Sequence, residues 1–204
     1  MCNAIKTNLK NYVCISIFLA ILTWIILIYY YEGSLAITKN SLFRLPTVVT
    51  INGIFWTIFI QWGWKCKYFR NWLVPFPNLS GTWSGKVIPN NVNPETTEVY
   101  NPVDISVEIK QTFLNIYVKV HSQEMESSSY SASFIINHEE NKKRLCYSYL
   151  SKPRSNIRAR SPIHDGTALL SIKGKKEDEL KGEYWTNRKS IGEIYLKKQI
   201  GTQV

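Results

Sequence analysis

The chain has 204 residues, 45% of them hydrophobic, and its 25 Lys and Arg outnumber 15 Asp and Glu for a formal net charge of +10. Seven basic residues and one acidic residue fall within 1–72, so most of the basic surplus belongs to that part and concerns topology and anionic lipid rather than DNA or RNA. No P-loop, G-x-S-x-G, H-E-x-x-H or Cys/His cluster with metal-ligand spacing is present, so nothing demands an enzyme or a metal protein.

Residues 13–31 and 46–64 contain no charged side chain. A bilayer-spanning helix needs about 20 mostly apolar residues. The sequence therefore predicts a two-span helical hairpin over residues 1–72. Lys6 and Lys10 precede the first span, and Lys65, Lys67 and Arg70 follow the second. The connection holds only Lys39 and Arg44 with Glu32. Positive residues gather on the cytoplasmic side, so both termini are expected there. Tyr29 to Tyr31 and Trp62, Trp64, Tyr68 and Trp72 fit interfacial belts. The first apolar run is too long for a signal peptide, and no small-x-small site follows it. In the second run Thr50, Gly53, Thr57 and Gln61 share one helical face, which suits helix–helix association. That face could pack on the first span or on another copy of the chain.

Pro75 and Pro77 end helix propagation, and period-two alternation dominates from Leu79. Residues 81–88, 105–110, 114–120, 130–136, 145–149, 168–172, 180–184 and 191–196 read as strands. About eight short strands suggest a sandwich or barrel, and hairpin-like connections make a compact eight-stranded antiparallel up-and-down barrel over 73–204 the economical solution, because closure removes unpaired edges. Such an interior is filled by side chains or holds one small ligand. The four cysteines are Cys2, Cys14, Cys66 and Cys146, and Cys146 is expected to pack with the core residues around it. Trp83, in L-S-G-T-W-S-G, is expected to plug one barrel end, with a late Arg such as Arg188 as a possible cover.

Two stretches are candidate binding elements. The segment 151–165 brings together Lys152, Arg154, Arg158 and Arg160, with serines and Asn156 as neutral donors. Guanidinium groups hold phosphate oxygens bidentately, so this segment is expected at a barrel rim facing either an anionic ligand or lipid headgroups. The segment 182–192 places Tyr184 and Trp185 on opposite faces of one strand. Thr186 and Asn187 could read a polar ligand edge, and Arg188 could hold a phosphate. The competing expectation is that one aromatic faces the core and that 187–189 is only a hairpin turn. Of the three histidines, His121, His138 and His164, His138 lies in a charged turn and is expected to face solvent.

Two spans followed by L-S-G-T-W-S-G, H-D-G-T and Y-W-T-N-R-K-S-x-G, in that order, resemble the two-transmembrane, β-strand-rich effectors encoded beside CD-NTase (SMODS) cyclases in bacterial CBASS anti-phage systems. The resemblance implies a lipocalin-like eight-stranded barrel that binds a cyclic dinucleotide made by the partner cyclase. It implies no catalysis and no cofactor beyond that activating ligand. Binding would drive homo-oligomerisation, and the clustered spans would disrupt the inner membrane. The positions matching its motifs are His164, Gly166, Tyr184, Thr186 and Arg188. Chemically, Arg154, Arg158, Arg160 and Arg188 suit the phosphates, and Tyr147, Tyr149, Tyr184 and Trp185 suit the bases. The alternative reading is a membrane-tethered carrier of a lipid or other hydrophobic molecule, which a purely aliphatic barrel interior would favour.

Overall fold

The two hydrophobic periodicities of the sequence belong to two different compact units. The computed structural model describes residues 3–33, 38–90, 100–137, 139–159 and 161–199. They form two compact units, divided between Pro75 and Phe76.

The first unit is helical: α1 (Asn3–Glu32), α2 (Lys39–Phe43) and α3 (Leu45–Gln61). Two stretches, Leu9–Glu32 with 24 residues and Lys39–Gln61 with 23, are long and apolar enough to cross a membrane. The second starts earlier than its apolar run suggests. Pro46 sits in the first turn of α3, where its missing N–H is no loss. The helix also ends sooner, at Gln61, and 63–65 form a 3-10 turn. The two long helices meet through Ser16, whose carbonyl accepts from Asn52 Nδ2 at 3.0 Å and whose hydroxyl accepts from Trp56 Nε1 at 2.7 Å. Val48 and Phe59 are buried on that face. The stripe of Thr50, Gly53, Thr57 and Gln61 is instead exposed. The Thr50 and Thr57 hydroxyls donate to carbonyls of their own helix, at Pro46 and Gly53. A Cβ on Gly53 would meet nothing within 4 Å. The stripe therefore does not serve the pairing of these two helices.

The second unit is a closed antiparallel barrel in which every strand pairs with its sequence neighbours and β1 pairs with β8. The strands are β1 (Gly81–Pro89), β2 (Val103–Gln111), β3 (Ile116–His121), β4 (Met125–Asn137), β5 (Lys142–Pro153), β6 (His164–Lys173), β7 (Glu179–Thr186) and β8 (Ile191–Lys198). Alternation builds the core, since Val107 and Ile109, Leu145 and Tyr147, and Ala168 and Leu170 all point inward and are buried. Trp83 is fully buried and donates from Nε1 to the Leu79 carbonyl at 2.9 Å. The entry segment is tied down beside it: Gln111 accepts from Leu79 N at 2.8 Å and donates to the Pro77 carbonyl at 3.0 Å.

Four details depart from the sequence expectation. A register shift between Ser129 and Ser131 leaves Tyr130 unpaired and 65% exposed, so the inward set of β4 changes parity there. Cys146 lies on the outer, half-buried face between inward Leu145 and Tyr147. Leu114 falls in the β2–β3 turn and is exposed rather than starting a strand. The cation over Trp83 is Lys198, with Nζ 5.5 Å from the ring centroid, and not Arg188. Arg188 follows β7 at the end of the barrel away from Trp83.

Candidate functional site

The last residues of β1, β3, β5 and β7 and the first of β2, β4, β6 and β8 lie at the barrel end opposite Trp83. Along β5 the inward residues change from Leu145 to Tyr147, Tyr149 and Ser151, so the interior turns polar toward this end. β4 contributes Ser127 and Ser129, and β6 contributes His164. All six are buried. Ser127 Oγ donates to Ser151 Oγ at 2.9 Å, and Ser129 Oγ accepts from Val118 N at 2.9 Å.

Two glycines make room for the phenols. A Cβ on Gly166 would lie 2.5 Å from the Cζ and Oη of Tyr149. A Cβ on Gly192 would lie 2.7 Å from Cε1 of Tyr184, and still closer, 2.3 Å, to the Ile88 carbonyl oxygen of β1. Each glycine thus lets a tyrosine ring lie flat against the neighbouring strand, which accounts physically for the glycine of H-D-G-T and the last one of the Y-W-T-N-R-K-S-x-G run. Tyr147 and Tyr149 pack with their ring centroids 5.8 Å apart.

Burial holds this cluster neutral. It pushes the Tyr147, Tyr149 and Tyr184 phenols upward, with the Arg188 guanidinium partly opposing it at Tyr149 and Tyr184. It pushes His164 down; the bond to the Pro162 carbonyl works against this and the Arg188 charge reinforces it. The neutral imidazole donates from Nδ1 to Pro162 O at 3.0 Å, which leaves Nε2 as an acceptor.

Cations ring the mouth. Arg188, in the β7–β8 turn, donates from Nη1 to Ser161 Oγ at 3.0 Å, and Asn187 N donates to the Asp165 carbonyl at 3.0 Å. Arg158 donates to Pro153 O at 3.3 Å and is otherwise exposed. Arg154, Asn156 and Ile157 line an open depression of about 570 Å³ with Gln123 and Glu124 of the β3–β4 turn.

The structure thus gathers His164, Gly166, Tyr184, Thr186, Arg188, Arg154 and Arg158 at one barrel end. Thr186 has a structural task there, its hydroxyl accepting from Ser190 N at 3.2 Å across the turn. Trp185 points outward and is 45% exposed, and Lys152 is exposed on the outer face of β5, so neither joins the interior. Arg160 and His138 lie outside the described residues. The basic loop is shorter than 151–165, because β5 runs on to Pro153 and β6 starts at His164. Sequence reasoning passed over Ser127, Ser129 and Ser151. The S-S-S-Y-S run hides their parity, because the bulge at Tyr130 breaks the alternation. Among the described residues, no group of three His, Cys, Asp or Glu side chains could hold a metal ion.

Residues 74–198 match the family model described as Cap15, cyclic dinucleotide receptor domain. The chain belongs to this family. The Cap15 receptor segment takes in all eight strands and none of α1, α2 and α3. A CD-NTase-associated protein 15 from Staphylococcus schleiferi is 39% identical over 94 residues, which cover 46% of this chain and 49% of that protein. The match thus spans about half the length of this curated relative.

Proposed function

We propose that the chain is a membrane-anchored CBASS effector whose barrel binds a cyclic dinucleotide at the end carrying Arg154, Arg158, His164, Tyr184 and Arg188. Arg160 and Thr186 complete the proposed set. The observation that carries this reading is a neutral aromatic interior ringed by exposed guanidinium groups at the same barrel end. A cyclic dinucleotide has the complementary make-up, with flat polar bases and two phosphodiesters. A hydrophobic cargo would cover the Tyr147 and Tyr149 hydroxyls and offer them no partner, which disfavours the carrier reading.

In the same reading the ligand comes from a partner CD-NTase, and both termini and the barrel are cytoplasmic. Ligand-bound copies associate in the inner membrane, using the exposed stripe of Thr50, Gly53, Thr57 and Gln61. The clustered helices then damage the bilayer, and no catalytic step is involved.

The test is calorimetric titration of the full chain in detergent micelles with a panel of cyclic dinucleotides, followed by dye release from liposomes carrying the protein. Saturable binding of one panel member, with release dependent on it, is the expected result. A folded chain that binds no member, or liposomes that leak equally with and without ligand, would overturn the reading.

A further inference from the structure

We infer that one nucleobase enters the tyrosine-lined end of the barrel interior while the phosphodiesters stay outside, on Arg154, Arg158 and Arg188. This rests on the cyclic-dinucleotide reading above and adds which part of the ligand goes where.

Two observations carry it. First, Tyr147 is 2% exposed and Tyr149 9% exposed, yet neither hydroxyl has a hydrogen-bond partner among the described residues. His164, 5% exposed, uses only Nδ1 and leaves an acceptor at Nε2. None of these three atoms is sealed from solvent, so each is open to the donors and acceptors of a ligand at this end of the interior. Ser151 extends the same neutral wall. Second, among the described residues no Lys or Arg is buried. A phosphodiester anion drawn inside would meet hydroxyls and an uncharged imidazole, with no counter-charge to offset its lost hydration. The guanidinium groups that could supply that charge are all at the mouth.

A base fits where a phosphate does not. It is flat, uncharged at neutral pH, and carries donors and acceptors along its edge. Phenol rings offer it stacking surface. The inward serines and the His164 Nε2 offer its edge partners of both kinds.

The experiment uses the full chain in micelles and the same panel of cyclic dinucleotides, titrated at low and high salt. Tyr149→Phe and, separately, Tyr147→Phe keep the rings and remove the hydroxyls. Each is expected to weaken binding about 3- to 10-fold, as loss of a neutral hydrogen bond does. Their salt dependence should match that of the unaltered chain, and the order of preference among the bases should change. Arg188→Gln is expected to weaken binding about 10- to 100-fold and to flatten the salt dependence, as loss of an exposed charge contact does. If both tyrosine variants bind like the unaltered chain while Arg188→Gln binds weakly, the ligand lies across the mouth. The inference then fails and the proposed function stands. If the unaltered chain binds no panel member, the functional reading itself fails and takes the inference with it.

Discussion

Gly166→Ala tests whether the tyrosine cluster is built by the absence of a side chain on β6. The added Cβ would sit 2.5 Å from Cζ and Oη of Tyr149 and 2.9 Å from its Cε2. Non-bonded carbons settle at about 3.5–4.0 Å, so the ring would have to retreat by about 1 Å. Tyr149 and Gly166 are paired across β5 and β6, so the two backbones cannot separate without breaking the ladder. The ring must turn instead, and an off-rotamer side chain in a packed site costs about 1–3 kcal/mol together with the shifts it forces. We expect that loss in equilibrium urea unfolding of the full chain, followed by tryptophan emission. The decisive comparison is a double-mutant cycle. With Tyr149→Ala already in place, Gly166→Ala should cost almost nothing, a coupling of about 1–3 kcal/mol. An equal loss in both backgrounds would show that the glycine serves something other than the Tyr149 ring.

Trp83→Ala should destabilise the barrel by about 3–5 kcal/mol, read as a lowered urea midpoint, because a fully buried indole and its bond to Leu79 are both lost. The His164 shift predicts a pH dependence. Its folded pKa is lowered, so the unfolded chain takes up the proton first as pH falls. The stability this neutral histidine contributes is complete above its unfolded pKa of about 6.5 and is lost as pH drops through the lower folded value. His164→Gln should flatten the pH profile of the urea midpoint below about 6.5, and an unchanged slope would refute the assignment. Gly53→Leu should reduce ligand-induced crosslinking between copies without lowering ligand affinity, because it fills an exposed face that a second helix would need to approach; undiminished crosslinking would remove the stripe from the interface.

The architecture was legible because two signals are strong. Uncharged runs of span length give helices long and apolar enough to cross a membrane, and period-two alternation over eight segments with hairpin-like connections favours a barrel over a sandwich. The site was legible only in part. Arg188, Tyr184 and His164 sit in recognisable runs, and their gathering at one end follows from the hairpin order. The serines were invisible because one bulge at Tyr130 inverts the parity of a Ser-rich strand, and no local composition marks where a bulge falls. Cys146 was misread for a related reason: its neighbours on both sides, Leu145 and Tyr147, are the inward pair, and a small apolar side chain between them gives no sign that it faces out. Partner choice between Arg188 and Lys198 over Trp83 depends on strand direction, since β7 runs away from the Trp83 end and β8 runs back to it.

The strand order has a consequence for when the protein becomes competent. All but one of the strand pairings join sequence neighbours, and only β1 with β8 links the two ends of the sheet. The ribosome delivers β1 first and β8 last. Seven strands can zip as successive hairpins while synthesis continues, but the ring stays open until β8 arrives and closes a loop of about a hundred residues, the slow step for such topologies. β8 also brings Gly192, against which Tyr184 rests. A nascent or truncated chain with its helices complete therefore carries an unfinished receptor domain. The helical unit is made before that domain, and the domain cannot close until the last strand is in place.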